Sequence, residues 1–447
     1  MQVSFKVGLV SLGCAKNLVD SEVMLGLLSK DGYNIISDYS RANILLINTC
    51  GFISTAKEES VNAILELAQY KTKGDCKLLI VIGCLVQKYQ HELCQEIPEV
   101  DIWLGTDQTE KIVEVINDGL AGSNIIQVSL DPSYIYQGPV ARLQTTPKHT
   151  AYLKIAEGCN NLCSYCVIPQ MRGQYRSRPL ETIIEEAKGL VKRGVVELII
   201  IAQDTTMYGI DIYQEFKLVE LLQELVRIQG VKWIRLLYCY PAHFDYRLIE
   251  LIKKEEVICN YLDIPLQHAD NEILKLMNRK SSQEEVVQLL TKLRELIPDI
   301  ALRTTFIVGF PGEKKQHFKR LLSFIKEFTF NWAGVFPYSQ EPDTPAHGME
   351  DQVSEGTKIK RADMILKVQQ LITSQLNQQY LGKKLLVLVE GISEDNPELF
   401  YGRTQYQAPE VDGITYFKAN NTPGIGEFVF VNITHVDKYD LIGEMIP

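Results

Sequence analysis

The chain has no apolar run long enough to cross a bilayer. Its longest, residues 78–86, is broken by Gly83 and falls well short of the roughly 20 residues a spanning helix needs. Residues 1–10 have no charged segment followed by a long apolar stretch, so we expect no secretory leader and a cytoplasmic protein. No internal repeat or low-complexity tract stands out. An excess of positive charge is also missing: 46 Lys and Arg against 56 Asp and Glu give a formal charge of −10. That balance argues against a protein that coats nucleic acid and leaves room for a basic partner. What the chain does have is 447 residues, 46 % of them hydrophobic, enough for about three domains with sizeable cores. It also has ten cysteines. Without a leader these read as metal-binding or redox-active thiols in a reducing compartment, where disulfides do not persist.

Three cysteines stand close together in Cys159-Asn160-Asn161-Leu162-Cys163-Ser164-Tyr165-Cys166, spaced four and then three apart. Structural zinc takes four protein ligands, and so does a simple electron-transfer iron–sulfur cluster. No fourth Cys or His follows at finger spacing, the next being Cys239. A triad one thiolate short suggests a cubane with one iron left for an exogenous ligand, with a zinc knuckle as the alternative.

Apolar segments alternating with amphipathic helices indicate an α/β protein. In the N-terminal part, strands are expected at 7–12, 44–47 and 78–82, with helices at 18–29 and 56–68. Each strand is followed at once by a cysteine: Cys14, Cys50 and Cys84. Parallel strands end on one edge of their sheet, so these thiols can converge on a second metal site. The alternative is three ordinary buried thiols, the reading kept for Cys76, Cys94, Cys239 and Cys259. Residues 122–144, with Pro132 and Pro139, read as a linker between an N-terminal domain (1–121) and a central one (145–376). Central strands are expected at 152–156, 196–202, 233–238, 261–264, 301–308 and 332–336, separated by helices at 180–193, 216–229, 246–254, 283–296 and 313–328. Six strand–helix units fit an incomplete TIM-like (β/α)6 barrel, with the Cys159 triad at the exit of its first strand, where such folds carry chemistry. After a polar helix at 355–380, residues 377–447 read as a small antiparallel β-barrel with strands at 385–389, 414–417, 428–433 and 439–444, set off by turn dipeptides such as Asp412-Gly413.

The C-x3-C-x2-C pattern with Tyr165 before its last cysteine resembles the radical S-adenosylmethionine (SAM) enzymes. With the second triad and the terminal barrel in this order, nearly the whole chain resembles the methylthiotransferase family of radical SAM enzymes. The resemblance implies two [4Fe-4S] clusters, one held by Cys159, Cys163 and Cys166 and binding SAM, the other held by Cys14, Cys50 and Cys84. It also implies a C-terminal TRAM barrel that engages the substrate, and an electron donor. Gly13-Cys14-Ala15-Lys16-Asn17-Leu18-Val19-Asp20-Ser21-Glu22, Leu262-Asp263-Ile264-Pro265-Leu266-Gln267-His268 and Ala408-Pro409-Glu410-Val411-Asp412-Gly413 resemble the RimO-type branch. That branch adds a methylthio group to the β-carbon of an aspartate in small-subunit ribosomal protein twelve. The other branch modifies an adenosine of tRNA, and a non-catalytic RNA- or zinc-binding module is the reading from a different class. From Gln378 onward, five Lys and Arg face ten Asp and Glu, a formal charge of −5. Such a surface attracts a basic ribosomal protein and repels phosphates, so direct tRNA binding and membrane association are not expected.

Further candidates lie at the strand exits. Tyr165 is expected to pack on the adenine of SAM or to plug the barrel mouth. Gln203, Asp204 and the glycine-rich Gly309-Phe310-Pro311-Gly312 are candidate SAM contacts or turn formers. His268 reads as a satisfied structural histidine. Arg172 reads as a ligand for a carboxylate of SAM or substrate, or as an ordinary loop arginine.

Overall fold

The computed structural model describes residues 5–136, 138 and 141–446. Pro139 of the expected linker and residues 1–4 of the segment read for a leader lie outside the described residues. Six parallel strands form the N-terminal sheet: Lys6–Ser11, Asn34–Ile35, Ile44–Thr49, Leu78–Gly83, Ile102–Leu104 and Ile125–Gln127, ordered second, first, third, fourth, fifth, sixth. Ile44–Thr49 and Leu78–Gly83 are buried at every position, because helices cover both faces. Leu45, Ile47, Leu79 and Val81 pack on Ile64, Leu67 and Leu85, whereas Ile44, Leu46, Ile80 and Ile82 pack on Met24, Leu28 and Ile116.

Three of these strands were not anticipated. Asn34–Ile35, Ile102–Leu104 and Ile125–Gln127 span two or three residues each, too short to form a periodic signal. The last falls within 122–144, so the stretch expected as a linker begins by extending the sheet.

The central domain is an open barrel of six parallel strands in sequence order: Thr150–Lys154, Glu197–Ile201, Trp233–Leu236, Ile258–Asp263, Ala301–Val308 and Trp332–Pro337. Its outer helices are Leu180–Lys192, Leu218–Val226, Arg247–Lys254, Gln283–Leu296 and Lys315–Phe328, followed by the long helix Glu355–Asn377. The inside is filled. Tyr152, Ile199, Cys259, Tyr261, Ala301 and Trp332 pack together with Val19 of the N-terminal domain and with Leu388 and Ala408 of the C-terminal barrel. Among the described residues no helix is long and apolar enough to cross a membrane.

The C-terminal domain is a closed barrel of five strands, ordered Lys384–Ile392, Leu399–Thr404, Thr415–Lys418, Asp440–Ile446 and Phe428–Asp437. It corrects the expectation of a purely antiparallel barrel of four strands. Leu399–Thr404 was missed because Gly402 and Arg403 interrupt its apolar pattern. An odd number of strands cannot alternate in direction around a closed ring, so one neighbouring pair must be parallel. Here it is Thr415–Lys418 with Asp440–Ile446. This barrel is fastened to the central one by buried charge: Glu197 pairs with Arg235 at 2.9 Å and with Arg403 at 2.6 Å. The Trp332 indole donates to the Tyr406 carbonyl at 2.9 Å, and the Tyr261 hydroxyl to Asp412 at 2.7 Å.

Candidate functional site

Cys14 caps the helix Ala15–Lys30 directly after the first strand, Cys50 follows the third, and Cys84 opens the helix after the fourth. The neighbouring glycines are what let these exits close together. Gly13 has φ +88°, and a Cβ there would lie 2.8 Å from the Cys50 Cβ. Gly83 has φ +113°, and a Cβ would meet the Asn48 side chain at 2.5 Å. Ser60 receives the Cys50 amide and donates to its carbonyl, both at 3.0 Å, which fixes the middle loop.

The barrel triad lies in the loop after the first barrel strand. Its Cys166 amide donates to the Cys163 carbonyl at 3.0 Å. Ser164 bonds to the carbonyls of Met277 (3.0 Å) and Leu276 (2.7 Å), and Asn161 to Asp204 at 2.7 Å. The barrel edge and the N-terminal sheet edge face each other, and all six cysteines line one cavity of about 420 Å³.

Burial pushes the Cys84 thiol up to about 12 and the Cys159 thiol up to about 11, and raises Cys50 and Cys166 as well. Alone, such thiols stay protonated at neutral pH. Arg172 Nε, 3.2 Å from the Cys84 sulfur, and Arg279 Nη1, 3.9 Å from that of Cys163, offset part of this. Two groups of three soft sulfur donors, short of cationic charge and in a largely apolar cavity, fit iron–sulfur clusters, whose irons supply that charge. A seventh cysteine, Cys239, also reaches the cavity wall. Burial raises its thiol, and the charges acting on it are those of Asp263 and Asp204 rather than of either triad.

Tyr165 and Gln203 line the cavity, Tyr165 packing edge-on against Phe310 with ring centroids 6.4 Å apart. Gly309 is not among the lining residues. Its positive φ serves packing, since a Cβ would run into the Lys358 side chain, and its amide donates to Glu313 at 2.5 Å. Asp204 is buried as an acceptor for Asn161, Thr206 and His243, a turn-forming role. His268 accepts the Asp270 amide at 3.0 Å, and burial pushes it down to about 3, so it is a neutral structural histidine.

Arg172 departs from the carboxylate-ligand expectation because its carboxylates are internal. It bonds to Asp20 at 2.7 Å, to Glu157 at 3.2 Å and to the Asn17 side chain. Lys154 bonds to Glu157 at 2.7 Å and to Asp20, which completes a buried quartet joining the two cysteine loops. Lys16, Tyr238, Gln267 and Arg279 also line the cavity and were not anticipated. Lys16 lay in a quoted motif, but nothing in the spacing distinguished it from a solvated lysine.

Residues 6–105 match an uncharacterized protein family, UPF0004, residues 153–325 match the radical SAM superfamily, and residues 381–446 match a TRAM domain. The ribosomal protein uS12 methylthiotransferase RimO of Desulforamulus reducens is 50 % identical over 98 % of this chain and 99 % of that protein. The chain belongs to the RimO methylthiotransferase family. RimO of Geotalea uraniireducens is 49 % identical over 99 % of this chain and 98 % of its own, and RimO of Clostridioides difficile 47 % identical over 99 % of each. Among solved structures, the radical SAM methyltransferase TsrM from Kitasatospora setae superposes with a TM-score of 0.58 at 15 % identity, covering 89 % of this chain and 80 % of its own, a likeness of fold. Membership of the radical SAM superfamily brings an iron–sulfur cluster and SAM to this RimO-family site.

Proposed function

We propose that the chain methylthiolates the β-carbon of an aspartate in ribosomal protein uS12, using two [4Fe-4S] clusters, on Cys14, Cys50 and Cys84 and on Cys159, Cys163 and Cys166. The observation that carries this reading is the single cavity shared by the two triads. An unactivated C–H bond offers no proton to a base at neutral pH, and SAM bound at an iron–sulfur cluster supplies radical chemistry that can break it. The chain's own residues hold and shield. Tyr165 and Gln203 shape the SAM side of the cavity, and the half-exposed Phe52 stands at its rim. The quartet of Asp20, Glu157, Lys154 and Arg172 keeps the two cysteine loops in register. The working division is 1–121 for the sulfur-donating domain, 122–144 for the connection, 145–376 for the radical SAM barrel and 377–447 for substrate engagement.

The test is anaerobic reconstitution. Wild type should hold about eight irons, and the triple variant Cys14→Ala, Cys50→Ala, Cys84→Ala about four. With SAM, a reductant, sulfide and purified uS12, mass spectrometry should find one methylthio group on an aspartate. About four irons in wild type would end the two-cluster reading, and unmodified uS12 with full iron would end the substrate assignment.

A further inference from the structure

Among the described residues, the buried cations around the cavity are neutralised within the protein, with two exceptions. Lys154 and Arg172 share Asp20 and Glu157, while Arg142 pairs with Glu22 and Glu186. Arg279 has no carboxylate partner among the described residues; it donates to the Pro265 carbonyl at 2.6 Å, lies 3.9 Å from the Tyr240 ring centre and approaches Cys163.

The second exception is Lys16. It is only 7 % exposed, lines the cavity and forms no ion pair among the described residues. Its ammonium sits 3.4 Å above the Tyr238 ring centre. It also stands in the first turn of the helix Ala15–Lys30, which has no acidic residue in that turn. A helix N-terminus already carries partial positive charge, so a buried lysine there is in the wrong place unless an anion joins it. Burial disfavours its charge while Tyr238, Cys14 and, more weakly, Glu157 favour it, but among the described residues no carboxylate comes close enough to pair with it, which leaves room for one from outside the chain.

We infer that Lys16 is the receptor for the side-chain carboxylate of the substrate aspartate, an inference that rests on the methylthiotransferase reading above. An aspartate β-carbon is bonded directly to its carboxyl carbon, so a fixed carboxylate holds the reacting carbon roughly 1.5 Å away. Lys16 is two residues from Cys14, on the sulfur-donating side of the cavity. SAM also carries a carboxylate, but the cation beside the other triad is Arg279, which leaves Lys16 for the substrate. An asparagine in the same place would present no charge and leave the ammonium unpaired.

The test uses reconstituted wild type, Lys16→Met and Lys16→Arg, with iron content measured for each. Probes are SAM alone and two synthetic peptides of the modified uS12 loop, one with aspartate and one with asparagine at the target position. Wild type should prefer the aspartate peptide by at least about tenfold in fluorescence anisotropy. Lys16→Met should lose that preference, binding the aspartate peptide roughly tenfold to a hundredfold more weakly, with SAM affinity and iron unchanged. Lys16→Arg should restore most of the preference. A Lys16→Met protein that still prefers aspartate, or that loses SAM affinity instead of peptide affinity, would overturn the inference. Should Lys16→Met lose iron, wild type and Lys16→Arg decide: no aspartate preference in wild type also overturns it. A wild type that leaves the aspartate peptide unmodified refutes the functional reading itself, a result separable from one in which modification proceeds but Lys16 does not discriminate.

Discussion

Arg172→Met should show how the two cysteine loops are held together. Arg172 is 3 % exposed and serves four anchors: Asp20 at 2.7 Å and the Asn17 side chain on the N-terminal domain, Glu157 at 3.2 Å just before the barrel triad, and the Cys84 sulfur at 3.2 Å. With Lys154 the quartet is neutral, and without the guanidinium a buried negative charge is left over. Removing one partner of such a set costs about 3–5 kcal/mol. At about 2–4 °C per kcal/mol this lowers the melting temperature by roughly 6–20 °C. The acid limb of stability should shift too. Burial alone would raise Glu157, but Lys154 and Arg172 hold it below the usual carboxylate range. Its contribution is therefore present above the unfolded carboxylate pKa and lost as pH falls through the folded value, and in Arg172→Met that loss should begin at a higher pH. Circular dichroism melts at several pH values read both effects. Arg172→Met with Glu157→Gln restores neutrality and should recover part of the loss. A single variant melting within about 2 °C of wild type, or a double variant losing the full sum of the two singles, would refute the reasoning.

His268 is held at about 3 by burial, so between pH 6.5 and 3 the unfolded chain takes up a proton that the folded chain refuses. Its stability is complete above about 6.5 and falls as the solution is acidified, by roughly 2 kcal/mol at pH 5. Urea unfolding of His268→Gln should show a flatter acid limb, and identical limbs would be the contrary result. Glu197→Gln leaves Arg235 and Arg403 buried without their shared carboxylate and should cost about 3 kcal/mol. Limited proteolysis should then cut faster ahead of the C-terminal barrel, and unchanged protection would count against that role. Gly83→Ala should force the Cys84 loop away from Asn48 at a cost of roughly 1–3 kcal/mol and move the iron content from about eight toward about four. Full iron in that variant would mean that the loop does not need the left-handed residue.

The sequence was most legible where one physical rule acted alone. The strand Leu78–Gly83 is an unbroken apolar run because both faces of its sheet are covered, and the helix Gln283–Leu296 has the bounds read for it in the sequence, its N-terminus closed by Ser282. The strand-exit cysteines were legible from topology, since parallel strands share an exit edge even with more than thirty residues between them. Pairing decided by long-range partners was not legible. Ile125–Gln127 is a strand only because Ile102–Leu104 offers it an edge. Charge was read least well. Arg172 carried no sign that its carboxylates were its own, and Lys16 no sign that it had none, because burial and partnership appear only once two domains face each other.

The same point bears on the acidic C-terminal barrel. Three of its charges never meet solvent freely: Arg403 pairs with Glu197 and Glu390, and Asp412 takes the Tyr261 hydroxyl beneath Arg303. Four cations and eight carboxylates remain exposed or half-buried, so the surface stays acidic after the interface is discounted. No described residue of this barrel lines the cavity. A field at that distance can draw in a basic ribosomal protein and speed encounter, an effect that added salt screens. It cannot tell an aspartate from an asparagine. That discrimination needs a desolvated contact at the reacting side chain, and the unpaired ammonium facing the cavity there belongs to Lys16.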